Sequence, residues 1–193
     1  MDTRIRPARR DDASWIGRVV TMAIGEELAR ELAGEMHTVE DVERMFATLA
    51  ARDDSQYSYR NSLVAEDEAG NVAGAVVAYD GADLYRLRKT FMAEAKTAIG
   101  LEFEGEPADE TGPEEFYLDS LGVLPEYRGQ GIARKLIEAA AERARLAGKP
   151  LGLLCSKDNP NARRLYDALG FRLVGERPFA GEMMDHLLLG FRF

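Results

Sequence analysis

A glycine-rich turn between a predicted strand and a predicted helix is the feature that most limits how this chain can fold. The strand covers residues 116–124, Pro125 stops it, and the helix covers residues 131–147. The turn, residues 127–133, reads Tyr-Arg-Gly-Gln-Gly-Ile-Ala. The first N–H groups of a helix lack partners and carry roughly half a positive charge, and glycines let an anion approach the backbone. The turn is therefore predicted to bind phosphate, with Arg128 adding a charged contact.

The pattern of this turn restricts the type of phosphate ligand. It lacks the GxxxxGK[ST] form of a nucleotide-binding P-loop. It also departs from the dinucleotide-binding fingerprint, because Arg134 stands where the third glycine is required. Residues 126–164 contain nine Lys/Arg and four Asp/Glu, a balance of +5 in a chain whose net charge is -9. A basic region around the turn favours a polyphosphate cofactor, and solvated helix faces are the alternative for several of these charges.

Composition excludes several other classes. The net charge of -9 argues against general nucleic-acid binding, which usually needs a basic domain. A single cysteine, Cys155, rules out an internal disulfide and suits a reducing compartment. The two histidines, His37 and His186, are far apart and form no metal-ligand spacing, so no metal site is predicted. A charged N-terminus and the lack of a long apolar stretch predict a cytoplasmic protein without a membrane partner.

Periodicity predicts an α/β chain, with a mixed sheet of about seven strands and helices on both faces. Further strands are predicted at 4–8, 59–66, 71–79, 151–155, 171–175 and 184–191. Further helices are predicted from Asp11 and Asp12 through Ile24 in a helical region that Gly34 ends, from Thr38, and over 84–98 and 159–169. Pro7 predicts an edge position for the first strand, and Thr38 with Asp41 resembles a capping box.

Two motifs in the second half resemble those of the GNAT acetyltransferase superfamily. The turn from Arg128 to Ala133 is similar to that family's cofactor motif, Arg/Gln-x-x-Gly-x-Gly/Ala. The segment from Asn159 to Phe171 resembles its second motif, Asn-x-x-Ala-x-x-x-Tyr-x-x-x-Gly-Phe. The motifs stand in the family's order and at a typical spacing, and the resemblance covers about residues 115–175. Residues 81–114 resemble no family element and are interpreted as an insertion in a single domain, 1–193.

The resemblance implies a GNAT-like α/β (α+β) fold in which the mixed sheet is splayed and acetyl-CoA lies between the fourth and fifth strands. It implies that backbone groups of Leu121, Gly122 and Val123 bind the pantetheine arm. It also implies contacts from Asn159 and Ala162, and places Tyr166 near the sulfur of the cofactor. The pyrophosphate would be held by residues Arg128, Gly129, Gln130, Gly131, Ile132 and Ala133.

The chemistry of acetyl transfer to an amine then suggests catalytic residues. An amine is mostly protonated at neutral pH, so a base is useful; Asp119 and then Glu115 are the candidates, next to the strand lining the thioester. Tyr166 is the candidate acid for the departing thiolate. The alternatives are a hydrogen-bonded strand residue for Asp119, membership of the acidic segment 102–115 for Glu115, and core packing for Tyr166. Cys155 and His186 are interpreted as structural.

The sequence therefore predicts an N-acetyltransferase that moves an acetyl group from acetyl-CoA to a primary amine by direct attack in a ternary complex. The acidic remainder of the chain favours a cationic small-molecule or peptide acceptor, with ordinary solubility as the other explanation. Two other functions stay open: a non-catalytic acyl-CoA-binding or sensing module, and a nucleotide-binding domain. A homodimer also stays open.

Overall fold

One open sheet of seven strands organises the chain, and a computed structural model describes residues 3–190 of it. The strands are β1 (Thr3–Pro7), β2 (Ser62–Asp67), β3 (Val72–Asp80), β4 (Phe116–Val123), β5 (Leu151–Cys155), β6 (Arg172–Phe179) and β7 (Glu182–Leu189). The helices are α1 (Ala13–Ile24), α2 (Glu26–Ala33), α3 (Val39–Ala50), α4 (Leu84–Ile99), α5 (Ile132–Leu146) and α6 (Pro160–Leu169). The predicted α/β class and strand number are confirmed.

The sheet is mixed and splayed. Its order is β1-β2-β3-β4-β5-β7-β6, in which β4 and β5 run parallel and the other neighbours run antiparallel. The β4–β5 ladder pairs Phe116 with Leu151 and Tyr117 with Gly152, near the start of each strand. Beyond those pairs the two strands separate, and a gap opens in the middle of the sheet.

Apolar side chains cover both faces of the sheet. Alternate residues of β2 and β3 point to opposite sides, as the pleat requires. Val64, Ala75 and Val77 pack in one cluster with residues of α1, α3 and α4. Leu63 and Val76 pack in a second cluster with residues of α5 and with Tyr166 of α6. Helices therefore lie on both faces, as predicted.

Local signals explain most element boundaries. Pro7 lies in the edge strand β1, where its missing N–H costs the ladder little. Thr38 and Asp41 form the predicted capping box, with the Asp41 N–H donating to Thr38 Oγ1 at 3.3 Å. The strand predicted from residue 59 begins instead at Ser62, because the Ser58 hydroxyl caps a short 3-10 turn over Tyr59–Asn61. Residue 191, the predicted end of the last strand, lies outside the described residues.

The segment predicted as an insertion, 81–114, holds α4 and a long irregular stretch. Gly100 ends α4 in the left-handed conformation. Buried Arg88 of α4 then donates to the carbonyl oxygens of Pro107 at 2.8 Å and Ala108 at 3.1 Å. One side chain thus fixes the irregular stretch against α4. Across residues 3–190, none of the helices is long and apolar enough to cross a membrane.

Candidate active site

A cleft of about 710 Å³ opens where β4 and β5 separate. Residues 117–123 of β4 form one wall and residues 153–156 at the end of β5 form the other. The beginning of α2 and the α6 residues Ala162, Leu165 and Tyr166 complete the lining. A gap in a sheet leaves backbone groups of both strands unpaired, so such a cleft can bind a ligand through main-chain hydrogen bonds.

A bulge in β4 places a carboxylate in this cleft. Ser120 pairs with Val77 and Leu118 pairs with Ala78, so Asp119 is the extra residue on β4. A bulge bends its strand and redirects a side chain. Asp119 lines the cleft and is half-buried. The first candidate base, Asp119, therefore lies at the wall of the cleft.

Three donors surround the Asp119 carboxylate. Ser120 Oγ donates to its Oδ1 at 2.8 Å, while Gln56 Nε2 and the Tyr79 hydroxyl each lie 3.3 Å from its Oδ2. Burial raises the pKa of Asp119, and these hydrogen bonds oppose that shift by favouring the charged form. The carboxylate is consequently more basic than an exposed aspartate while remaining oriented.

The same network contains a second carboxyl, which no sequence pattern marks. Glu110 Oε1 lies 3.4 Å from the Tyr79 hydroxyl, and Glu110 is 7% exposed. Burial, with the charge of Asp119 second, raises the pKa of Glu110 to about 7. Glu110 and Gln56 belong to irregular segments, where no periodicity marks a buried residue, so the sequence held no signal for either.

The second candidate base, Glu115, lies elsewhere. It is 3% exposed and is not among the cleft-lining residues. Its Oε2 is 2.8 Å from His186 Nε2, and its Oε1 accepts from Thr111 Oγ1 at 2.7 Å. The pair joins the start of β4 to β7, which agrees with the structural role predicted for His186.

Tyr166 and Cys155 lie across the cleft from the end of β4. Tyr166 is 9% exposed, and burial raises the pKa of its phenol well above the usual range. The phenol is thus protonated at neutral pH and can serve as a proton donor. Cys155 is 4% exposed and burial raises its pKa too, so its thiol is a poor source of nucleophilic thiolate.

The glycine-rich turn has the geometry of an anion cradle. Gly129 and Gly131 both have φ of +76°, a conformation that glycine adopts without strain, and a Cβ added at either would meet open space. Gly131 is the N-cap of α5 and offers no side chain to the first N–H groups of the helix. Arg128, beside the turn, donates from Nε to the carbonyl oxygen of Val123 at 3.1 Å.

The structure brings most of the predicted site residues to one cleft, though not all of them. The predicted residues that line it are Asp119, Leu121, Gly122, Val123, Arg128, Ala133, Asn159, Ala162 and Tyr166. Gly129, Gln130 and Gly131 are exposed beside it, and Ile132 is buried in the second core cluster. Asn159 caps α6, its Oδ1 accepting from the Ala162 N–H at 3.0 Å, and its amide N–H groups are still available as donors.

Half of the acidic side chains that line the cleft lie on α2, and none lies in the acidic segment 102–115. Glu26, Glu27 and Glu31 line the cleft, together with Asp119, Asp158 and Glu182. Residues 102–115 contribute no side chain to the lining. Among residues 3–190 no group of three or more Asp, Glu, His or Cys could hold a metal ion.

An open mixed sheet with a bulged fourth strand, a splayed fifth strand and an anion cradle between them defines an acyltransferase of the GNAT type. The sequence model of the acetyltransferase (GNAT) family matches residues 25–171 of this chain. The chain therefore belongs to the GNAT acetyltransferase family.

Individual relatives agree with the family. The chain is 39% identical over 67 residues to the N-alpha-acetyltransferase RimI of Mycobacterium tuberculosis and 41% identical over 78 residues to the thialysine N-epsilon-acetyltransferase of Bos taurus. These matches cover 35% and 37% of this chain, and 41% and 46% of the relatives, less than half of either relative's length. A solved acetyltransferase structure shares 32% identity and a TM-score of 0.76, covering 96% of this chain and 97% of its own.

Proposed function

We propose that this protein is an N-acetyltransferase that moves an acetyl group from acetyl-CoA to a primary amine by direct attack in a ternary complex. One observation carries the proposal: a single cleft is lined by Arg128 of the anion cradle, by Asp119 and by Tyr166. A polyphosphate site, a base and an acid around one cavity suit a phosphate-bearing acyl donor and a protonated acceptor.

The acyl donor fits the groups that the chain offers. The pyrophosphate of acetyl-CoA would lie on the N–H groups at the start of α5, next to Arg128. Backbone groups of residues 121–123, beyond the last β4–β5 pair, would bind the pantetheine arm and stabilise the oxyanion that forms at the thioester carbonyl. Asn159 would add a polar contact from the start of α6.

Asp119 would act as the base and Tyr166 as the acid. The acceptor ammonium gives a proton to the Asp119 carboxylate, and the neutral amine attacks the thioester carbonyl carbon. A C–N bond forms and the C–S bond breaks. The departing thiolate takes the proton of the Tyr166 phenol. A buried Cys155 with a raised pKa disfavours an acyl-cysteine intermediate, which supports direct transfer.

The cleft favours a cationic acceptor. Six of its lining residues carry carboxylates, three of them on α2. The names of two relatives, an N-alpha- and an N-epsilon-acetyltransferase, are consistent with a peptide or small-molecule amine.

The proposal is tested by incubating the protein with acetyl-CoA and a panel of amines while free thiol is measured. The panel should include peptide N-termini, lysine-like amines, polyamines and neutral hydroxyl analogues of the same size. We expect thiol release with cationic amines and none with the hydroxyl analogues. Binding of coenzyme A by calorimetry without turnover on any amine would favour the non-catalytic sensing module instead.

A carboxylate in the anion cradle should abolish most cofactor affinity. We expect Gly131→Asp to weaken coenzyme A binding by at least about tenfold, because the new charge would occupy the approach of the pyrophosphate and repel it. Calorimetric titration with coenzyme A measures the effect. Gly148→Asp is the matched control, since Gly148 also has positive φ (+71°), in the turn after α5, with open space around it. Equal affinities in the two variants would place the cradle elsewhere.

A further inference from the structure

Two carboxyls in the interior share one phenol. The Tyr79 hydroxyl lies 3.3 Å from Asp119 Oδ2 and 3.4 Å from Glu110 Oε1. A phenol has a single proton and can donate to one acceptor at a time. If both carboxyls were ionised, one of these two contacts would join oxygen atoms with no proton between them. One additional proton on the network makes both contacts hydrogen bonds.

The surroundings decide which carboxyl holds that additional proton. Asp119 accepts from Ser120 and Gln56 as well as from Tyr79, and three donors stabilise a carboxylate. Glu110 is 7% exposed, and Arg88 Nη2 lies 3.5 Å from its Oε2, a long contact for an ion pair. Below about pH 7 the proton therefore resides on Glu110, whose O–H donates to the Tyr79 oxygen, while the Tyr79 O–H donates to Asp119.

We propose that Glu110 is a positioning residue that holds and exchanges a proton with the base Asp119 through the Tyr79 hydroxyl. The inference rests on the proposed function, because it assigns a partner to the base of that reaction. It also gives the segment 81–114 a role. This segment supplies Glu110, and it supplies Arg88, whose hydrogen bonds to Pro107 and Ala108 hold the stretch before Glu110 in place.

The exchange conserves protons. After the acceptor ammonium has protonated Asp119, the Tyr79 phenol gives its proton to an ionised Glu110 and takes the proton of Asp119. Asp119 becomes a carboxylate again while substrates still fill the cleft. When Glu110 already holds a proton, the transfer is blocked. Turnover should therefore rise with pH as Glu110 ionises, and the groups that influence this ionisation are Asp119, Tyr79, Tyr57, Tyr117, Arg88, Asp109 and Arg177.

Glu110→Gln tests the proposal, with Glu106→Gln as the matched control on an exposed residue of the same segment. With an amine that the parent protein acetylates, we expect kcat at about pH 8 to fall roughly tenfold, a part of what a positioned proton-transfer group contributes. The rise of kcat near pH 7, where the pKa of Glu110 lies, should disappear. The KM for acetyl-CoA should not change. Tyr79→Phe breaks the same link from the other side and should remove the same rise.

Two further readouts need no turnover. Infrared spectra of protein with isotope-labelled glutamate should show the carbonyl band of a neutral carboxylic acid that is lost in Glu110→Gln and fades above about pH 7.

The pH dependence of the melting temperature gives the other readout. Between the ordinary glutamate pKa of 4.5 and about 7, the folded chain retains a proton that the unfolded chain has lost. Glu110 therefore destabilises the fold progressively as pH rises through this window. The Tm of Glu110→Gln should rise relative to the Tm of the parent protein across the same window, and the difference should then stay constant.

The outcomes separate the two proposals. Acetylation with an unchanged pH profile in Glu110→Gln and Tyr79→Phe would overturn the proton exchange and leave the acetyltransferase proposal standing. If no amine is acetylated, the acetyltransferase proposal falls, and the infrared band and Tm profile still decide whether Glu110 holds the proton. An absent band together with a flat Tm difference would overturn it.

Discussion

Asp119→Asn is expected to lower kcat/KM for the acceptor amine roughly 10³-fold at neutral pH, within the range that a positioned general base contributes. Asparagine keeps the size of the side chain and can accept the hydrogen bond from Ser120, so the bulge in β4 should survive. It cannot take a proton from an ammonium ion. Coenzyme A affinity should be close to that of the parent, since the cradle at the start of α5 is untouched. Steady-state kinetics with calorimetry measures both quantities.

Glu115→Gln is the informative comparison for this prediction. Glu115 was the second candidate base, and the structure pairs it with His186 away from the cleft. We expect that variant to lose stability, because one partner of a buried hydrogen-bonded pair is weakened, while its kcat changes little. If Glu115→Gln loses turnover and Asp119→Asn retains it, the base is Glu115 and the assignment made from the cleft is wrong.

Tyr166→Phe is expected to lower kcat by roughly 10²-fold, the lower end for a positioned acid. The change removes one oxygen and keeps the ring that packs on Phe171, where the centroids are 5.5 Å apart. Its raised pKa keeps the phenol protonated across the physiological range, so the donor is present in the parent protein whenever the thiolate leaves. Single-turnover measurement at saturating substrates isolates the chemical step from product release.

A control tyrosine separates lost proton donation from general disturbance. Tyr59→Phe removes a hydroxyl that donates to Asp53 at 2.8 Å on the surface and should leave kcat as in the parent. A Tyr166→Phe protein whose chemical step is as fast as the parent's would remove the phenol from the mechanism. The thiolate would then leave unprotonated.

Local chemistry explains why so much of the fold could be predicted. The capping box at Thr38, the left-handed glycine at the end of α4 and the proline in β1 each depend on a few neighbouring residues. The predicted start of β2 was wrong by three residues, because the cap at Ser58 competes with the apolar pattern of the strand. The prediction of an element boundary fails where two local signals overlap.

The acidic part of the site shows where local reasoning ends. The sequence places a dense run of acids at 102–115, yet none of them lines the cleft, and three of the six carboxylates that do line it belong to α2. Within that run, Glu102 pairs with Lys96 at the surface, whereas Glu110 is buried beside the Asp119 network. The charge of a segment is a property of its composition, but the direction in which each charge faces depends on what the segment packs against.

The sequence by itself determined the order of strands and helices, the glycine-rich turn at residues 128–133 and the family to which the chain belongs, because each rests on residues close together in the chain. The tertiary structure decided which carboxylates meet. Gln56 contacts Asp119 although 63 positions separate them in sequence. Glu115 pairs with His186, 71 positions away, outside the cleft. Such encounters depend on how strands pair, how a bulge turns a side chain and how Arg88 anchors an irregular segment. Periodicity shows which residues share a face, but only packing determines which faces come together.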